Sequence, residues 1–202
     1  KQLFQATDMT VGVPWKQIVR FTIPMLLGNI AQQLYNTVDS IVVGNYVGDR
    51  ALAAVGSAGP ILNLLLVLFI GISMGASIVV AQYFGAKQRK ELSYSIGNCI
   101  TLSAISVVII MVLSVFITRP LLEALDTKPS VIDWCNSYLL IMFLGCFGIA
   151  FYNILSGVLR GLGDSTSALI YLLVSTVINI ILDLVFVIVF RMGVNGVAWA
   201  TI

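Results

Sequence analysis

"LSAISVVIIMVLSVFI", residues Leu102–Ile117, contains no charged residue at all. A helix needs about 20 predominantly apolar residues to cross a bilayer. Membrane β-strands instead alternate apolar and polar positions over short pieces, and this stretch is continuous. A helix also satisfies its own backbone hydrogen bonds, as lipid requires. Read outward from its centre, the apolar segment extends over 95–118 and is a membrane-crossing helix.

The whole chain has the same character. Of its 202 residues 59% are hydrophobic and only 10% charged, with a mean hydropathy of +1.02. A soluble domain carries about 25% charged residues, so a water-facing surface cannot be covered here and the soluble class is excluded. Four further segments reach spanning length: 21–45, 55–84, 134–158 and 167–190. A sixth begins near Val194. The fold class predicted is therefore an all-α integral membrane protein, a polytopic bundle of five spans plus the start of a sixth. Residues 1–202 read as one domain, without internal repeat or low-complexity segment. The chain starts at Lys1 without a methionine and stops inside "GVAWATI", which reads as part of a longer protein. The opening "KQLFQATDMTVGVPWKQ" is too polar for the apolar core of a signal peptide.

Charge gives the orientation. With alternating helices, Lys1, Lys16, Arg20, Lys87, Arg89, Lys90 and Arg160 fall on one side, and Arg50, Arg119, Lys128 and Arg191 on the other. The positive-inside rule places the first set, and the N-terminus, in the cytoplasm of a multi-pass protein of the cell inner (plasma) membrane. There is no histidine, so the usual metal ligand and general base are missing. Cys99, Cys135 and Cys146 lie in separate apolar segments and read as small hydrophobes.

Of the nine acidic residues, Asp8, Asp49, Glu91, Glu123, Asp126, Asp133 and Asp164 fall in loops or at helix ends. Only Asp39 and Asp183 lie well inside spans, where a charge costs roughly 2.5–3.5 kcal/mol even on insertion scales. Asn29, Gln32, Gln33, Asn36, Asp39 and Ser40 share one face of the first helix at 100° per residue. Ser175, Thr176, Asn179 and Asp183 form a second stripe on the fifth, with Asn179 and Asp183 one turn apart. Two such stripes imply a wet cavity between helices. Neither contains a cation, so desolvation favours the neutral acid, which suits a proton carrier. A carboxylate beside an amide oxygen suits sodium equally. These residues leave both ions open, and no other metal or cofactor is expected.

Pro24, about a turn inside the first helix, is a hinge or a static kink. Gly71 and Gly75 have the small-xxx-small spacing of packed membrane helices. Asn153 and Ser156 add polarity to the fourth span. "GLGD", Gly161–Asp164, matches the GxGD string of intramembrane aspartyl proteases, which need a second aspartate close enough to share a proton. Here it follows Arg160 in a polar connection, so a helix end with a left-handed glycine is the better reading.

Several segments together resemble the multidrug and toxic compound extrusion (MATE) transporters: "LYNTVDSIVVGNYVGDRALAAVG", "GASIVVAQYFGAKQRKE", "VLRGLGDSTSALI" and "NIILDLVFV". The resemblance covers nearly the whole chain and is strongest to the DinF-like bacterial and archaeal type. It implies a twelve-helix protein of two six-helix lobes, of which this chain is most of the N-terminal lobe, with the C-terminal lobe as its absent partner. It also implies that Asp39, Asn179 and Asp183 couple to a cation and that Thr201 completes that site. Gln32 and Tyr35 would line the substrate cavity with Asn36 and Asn153, and Pro24 would be the bending proline.

The expected function is a cation-coupled (H+ or Na+) multidrug efflux antiporter, not an enzyme. It would export small, often cationic, amphiphilic organic compounds across the lipid bilayer by alternating access, with no nucleic-acid partner. Two alternatives are a lipid-linked oligosaccharide flippase of the wider superfamily and an intramembrane aspartyl protease. The absence of Lys or Arg clearly inside a span disfavours the flippase, whose cavities are strongly basic.

Overall fold

The computed structural model describes residues 12–202. The expectations for Lys1 and Asp8, and most of the polar opening stretch, lie outside the described residues. Seven α-helices follow one another: α1 (Pro14–Tyr46), α2 (Asp49–Gly85), α3 (Arg89–Ala124), α4 (Ile132–Leu144), α5 (Cys146–Gly161), α6 (Ser165–Leu184) and α7 (Val194–Thr201). A π turn, Val185–Val189, extends α6. Among the described residues there is no strand.

The bundle is apolar on the outside. Leu64 is 71% exposed, Phe116 72% and Val189 69%. Water would not tolerate so continuous an apolar surface, and lipid does. By length and hydropathy α2, α3 and the α6–π segment qualify as membrane-crossing helices. The fourth expected segment is two helices, α4 and α5, bent by 47° at a break, and counts as a fourth span if the pair is taken as one. The break falls at Gly145. There and at Gly148 the absent side chains leave room for Ile202: a Cβ on Gly148 would lie 2.7 Å from the Ile202 carbonyl oxygen. α1 has the length, 33 residues, but its polar stripe takes it out of the strongly apolar group.

Inner faces follow the sequence period. On α2 the buried positions are Ala51, Ala54, Ala58, Ile61, Leu65, Phe69, Ser73, Ala76 and Val80, a three-four spacing that keeps one seam inward. α2 packs chiefly on α5, and α1 on α6. The α2–α5 seam corrects the reading of Gly71 and Gly75. Both are exposed, and a Cβ on either would meet nothing within 4 Å. The small pairs that meet are Ser73 and Ser77 on α2 with Gly157 and Gly161 on α5. A Cβ on Gly161 would sit 2.6 Å from the Ser77 carbonyl oxygen. "GISMGAS" holds two interleaved four-residue pairs, and the inward seam of α2 selects the serines.

α1 and α6 approach closely at Gly28, where a Cβ would stand 3.4 Å from Leu172. Pro24 lies in the same helix, which continues unbroken past it, although proline supplies no N–H for the Arg20 carbonyl. Near one end of the bundle, α1, α2, α4 and α7 close over a shared core that includes Val43, Ala54, Leu139 and Ala198.

Candidate functional site

The start of α6 fixes the register of its acid. After α5 ends, Gly163 takes φ +80° and Asp164 caps the new helix. Its Oδ1 accepts from the Ser167 amide at 2.9 Å, and its Oδ2 accepts from the Ser167 hydroxyl at 2.5 Å. The GLGD string is thus a turn followed by an N-cap. Asp183 lies nineteen residues further along the same helix, about 28 Å at 1.5 Å per residue. Asp164 cannot share a proton with it, so the GLGD string does not supply half of a protease dyad.

Asp183 is fully buried, at 0% exposure, and Asn179 one turn earlier is 7% exposed. From α1, the inward positions Tyr35 and Asp39 meet them, so the Asp39 and Asp183 carboxyls face each other. The Tyr35 hydroxyl lies beside Asp39, with Thr201 of α7 beside Tyr35. Thr201 donates its hydroxyl proton to the Val197 carbonyl at 2.9 Å, which leaves its oxygen lone pairs for another partner. Tyr138 of α4, 5% exposed, is within electrostatic range of both acids. Sequence reasoning missed it, because a tyrosine in "SYLLIMF" looks like ordinary core and only its hydroxyl hints otherwise.

The cluster is not internally satisfied. Asp39 Oδ1, both Asp183 carboxyl oxygens and both polar atoms of the Asn179 amide are buried without a hydrogen-bond partner. Among the described residues no other buried side-chain nitrogen or oxygen is in this condition. Leaving a buried polar group unpaired costs about 1–3 kcal/mol, and more for a charged one. Two facing carboxyls offer acceptors to each other and no donor, so the arrangement calls for a proton between them or a cation among them. The oxygen set of Asp39, Asp183, Asn179 and Thr201 suits a hard cation such as Na+.

The other expected residues are placed differently. Gln32 and Asn36 lie exposed on the open side of α1, where the Asn36 amide donates to Gln33 Oε1 at 3.3 Å. Asn29, Gln33 and Ser40 are exposed with them. Ser175 is exposed and Thr176 half-buried, so the inward part of the α6 stripe is Asn179 and Asp183. Asn153 belongs to the α2–α5 seam. Its amide donates to the Ile149 carbonyl at 2.8 Å, and its own backbone carbonyl accepts from the Ser73 hydroxyl at 2.6 Å. Arg160, expected in a connection, belongs to the last turn of α5, where Nη2 donates to Ser73 Oγ at 3.3 Å and Nε to the Ser156 carbonyl at 3.2 Å.

Apolar helices packed around two facing acids define a class: polytopic membrane proteins with an acidic interior. Comparison with known proteins gives the family. The MatE family profile matches residues 24–185. The chain is 33% identical over 198 residues to the probable multidrug resistance protein YpnP of Bacillus subtilis (strain 168), covering 98% of this chain and 44% of that protein. Solved relatives include a multidrug resistance MATE family transporter of the MOP superfamily in an outward-facing conformation, with TM-score 0.90 and 31% identity, over 100% of this chain and 44% of that one. A MATE in a bent conformation matches with TM-score 0.88 and 33% identity, over 94% of this chain and 42% of that one. The chain belongs to the MatE family of multidrug and toxic compound extrusion proteins. It spans less than half the length of the relatives it matches.

Proposed function

We propose that this chain is the N-terminal lobe of a two-lobed, cation-coupled exporter of amphiphilic organic compounds. α1, α2, α3, the α4–α5 pair and α6 would be its five spans, with α7 opening the sixth. The observation that carries the proposal is the set of unpartnered polar atoms on Asp39, Asn179 and Asp183. Such a site is incomplete until a proton or Na+ enters it, and occupancy of that kind can be exchanged for a conformational change.

In this reading α1 and α6 are held together by the ion and loosen when it leaves. Tyr35, Tyr138 and Thr201 hold the two acids in place. The open polar face of α1, with Gln32 and Asn36, lines the substrate cavity opposite the second lobe, and Asn153 stands further round on α5. Pro24 supplies the place where α1 can bend, since the Arg20 carbonyl lacks a backbone partner there. Solved relatives described as bent and as outward-facing support the occurrence of more than one conformation in the family. The protein lies in the cell inner membrane with the Lys87–Lys90 turn and the N-terminus in the cytoplasm. One charge moved through 100 mV supplies about 2.3 kcal/mol, enough for roughly a fifty-fold gradient of an uncharged exported compound.

The test uses the full-length protein containing this chain, in inverted membrane vesicles. Ethidium accumulation is followed after a proton or a sodium gradient is imposed, for wild type, Asp39→Asn and Asp183→Asn. Gradient-driven accumulation that disappears in either variant is expected, and the effective gradient names the ion. Full activity in both variants would overturn the assignment of the acids.

A further inference from the structure

The acid cluster leaves one feature of the molecule unused. At the end of the bundle away from the α2–α3 and α5–α6 turns lies a cavity of about 320 Å³. One wall is the start of α4, with Asp133, Trp134 and Ser137. The other is the connection into α7, with Arg191 and Asn195.

The two walls differ in charge. Arg191 is held in a left-handed backbone conformation, φ 54°. The ion pairs among the described residues are Arg119–Glu123 at 3.4 Å and Arg119–Asp133 at 3.7 Å, so Arg191 has no carboxylate partner among them. The Ser137 hydroxyl donates to Asn195 Oδ1 at 2.9 Å. That bond occupies the Asn195 oxygen and leaves its amide nitrogen as a donor on the wall that also carries Arg191. Across the cavity, Asp133 shares Arg119 only through a long, exposed contact at 3.7 Å, the weak kind of ion pair. Its carboxylate stays available on the wall that also carries Trp134. The cavity therefore presents two donors for an anion on one side, and a carboxylate with an aromatic face for a cation on the other.

The flanking surface is apolar. Phe190 is exposed, as are Val189 before it and Trp199 on α7. Charged cavity and bare hydrocarbon adjoin at a helix end, where a bilayer changes from headgroup to acyl chain.

We propose that this cavity binds the headgroup of a zwitterionic phospholipid of the phosphoethanolamine type. The phosphate lies against Arg191 and the Asn195 amide. The ammonium lies against Asp133 and the Trp134 ring, and the acyl chains run along Phe190 and Val189. The proposal is independent of the efflux reading, since it concerns lipid binding at the opposite end of α4 from the Gly145 break and uses none of the transport residues.

Binding is measured by native mass spectrometry on the delipidated full-length protein. The probes are dihexanoyl phosphatidylethanolamine, dihexanoyl phosphatidylglycerol and free phosphoethanolamine. The ethanolamine lipid should bind at least tenfold tighter than the glycerol lipid, which has the phosphate and no ammonium. Arg191→Gln should weaken both lipids at least tenfold, with Arg191→Lys retaining most of the affinity. Asp133→Asn should remove the difference between the two lipids. Unfolding midpoints of the three variants, all altered at exposed positions, should match wild type. Equal binding of the two lipids to wild type, or wild-type affinity in Arg191→Gln, would overturn the proposal. Free phosphoethanolamine binding as tightly as the lipid would overturn a lipid as the occupant.

Discussion

Adding one methyl group at Gly157 should cost more than removing most side chains from this bundle. The Cβ of Gly157→Ala would run into the Ser73 hydroxyl and stand 2.6 Å from the Ser73 carbonyl oxygen and 3.2 Å from its carbon. Ordinary contact starts at 3.4 Å, so α2 and α5 must part by about 0.8 Å. The obstacle is backbone in the middle of a 37-residue helix, so no rotamer change relieves it. A gap of that size forfeits about a quarter to a half of each dispersion contact along the seam, and overpacking of this kind costs about 1–3 kcal/mol. Displacing the Ser73 hydroxyl also disturbs its bonds with the Asn153 carbonyl and Arg160, adding about 1 kcal/mol. Gly157→Ala should thus destabilise by roughly 2–4 kcal/mol. Gly161→Ala, 2.6 Å from the Ser77 carbonyl oxygen, should behave alike. Gly71→Ala and Gly75→Ala provide the contrast, with nothing within 4 Å of the new atom, and should change stability by less than about 0.5 kcal/mol. The assay is reversible SDS unfolding of the full-length protein in mixed micelles. A Gly157→Ala variant as stable as wild type, or a Gly71→Ala variant equally damaged, would refute the seam assignment.

Other predictions concern the acid site and its supports. Gly28→Leu should force α1 from Leu172 and abolish gradient-driven transport, while Gly28→Ala, at a 3.4 Å contact, should retain it; vesicle uptake reads both. Tyr138→Phe keeps the ring and removes the hydroxyl. It should raise the coupling-ion concentration for half-maximal transport several-fold while leaving the unfolding midpoint unchanged. Asp164→Ala removes the cap on α6 and should cost about 0.5–2 kcal/mol in unfolding, with transport per folded molecule unaltered. The double variant Asp39→Asn, Asp183→Asn should lose no more transport than the worse single variant, because the two acids act as one unit.

Much of this was legible without coordinates, for identifiable reasons. A carboxylate in an apolar run is conspicuous because lipid makes it expensive, so Asp39 and Asp183 stand out at once. The one-turn spacing of Asn179 and Asp183 survives folding because it is a property of the helix itself. Tyr138 was hidden: its role depends on which helix faces α1 and α6, and nothing local to α4 encodes that. The 47° bend between α4 and α5 was hidden in the same way. Its glycine could have been read as packing, as a break or as tolerance, and the deciding partner, Ile202, is 57 residues downstream. The confusion of Gly71 and Gly75 with Ser73 and Ser77 has a sharper cause. Small-residue spacing identifies a competent helix face, and only the rotation of α2 in the bundle tells which of two competent faces is used.

The π turn at Val185–Val189 bears on how such chains are compared. A π turn is an α-helix with one residue inserted, so α6 and the segment beyond it are out of phase by about 100° relative to an uninterrupted helix. A homologue lacking the insertion would present different side chains along the Val185–Val189 end of this helix. Against such a homologue, an alignment would need a one-residue frame correction within Val185–Val189. Thr201 stands on α7, a separate helix that starts after Gly193 (φ +60°), so its position beside Tyr35 is set by how α7 packs on α1 and not by the frame of α6.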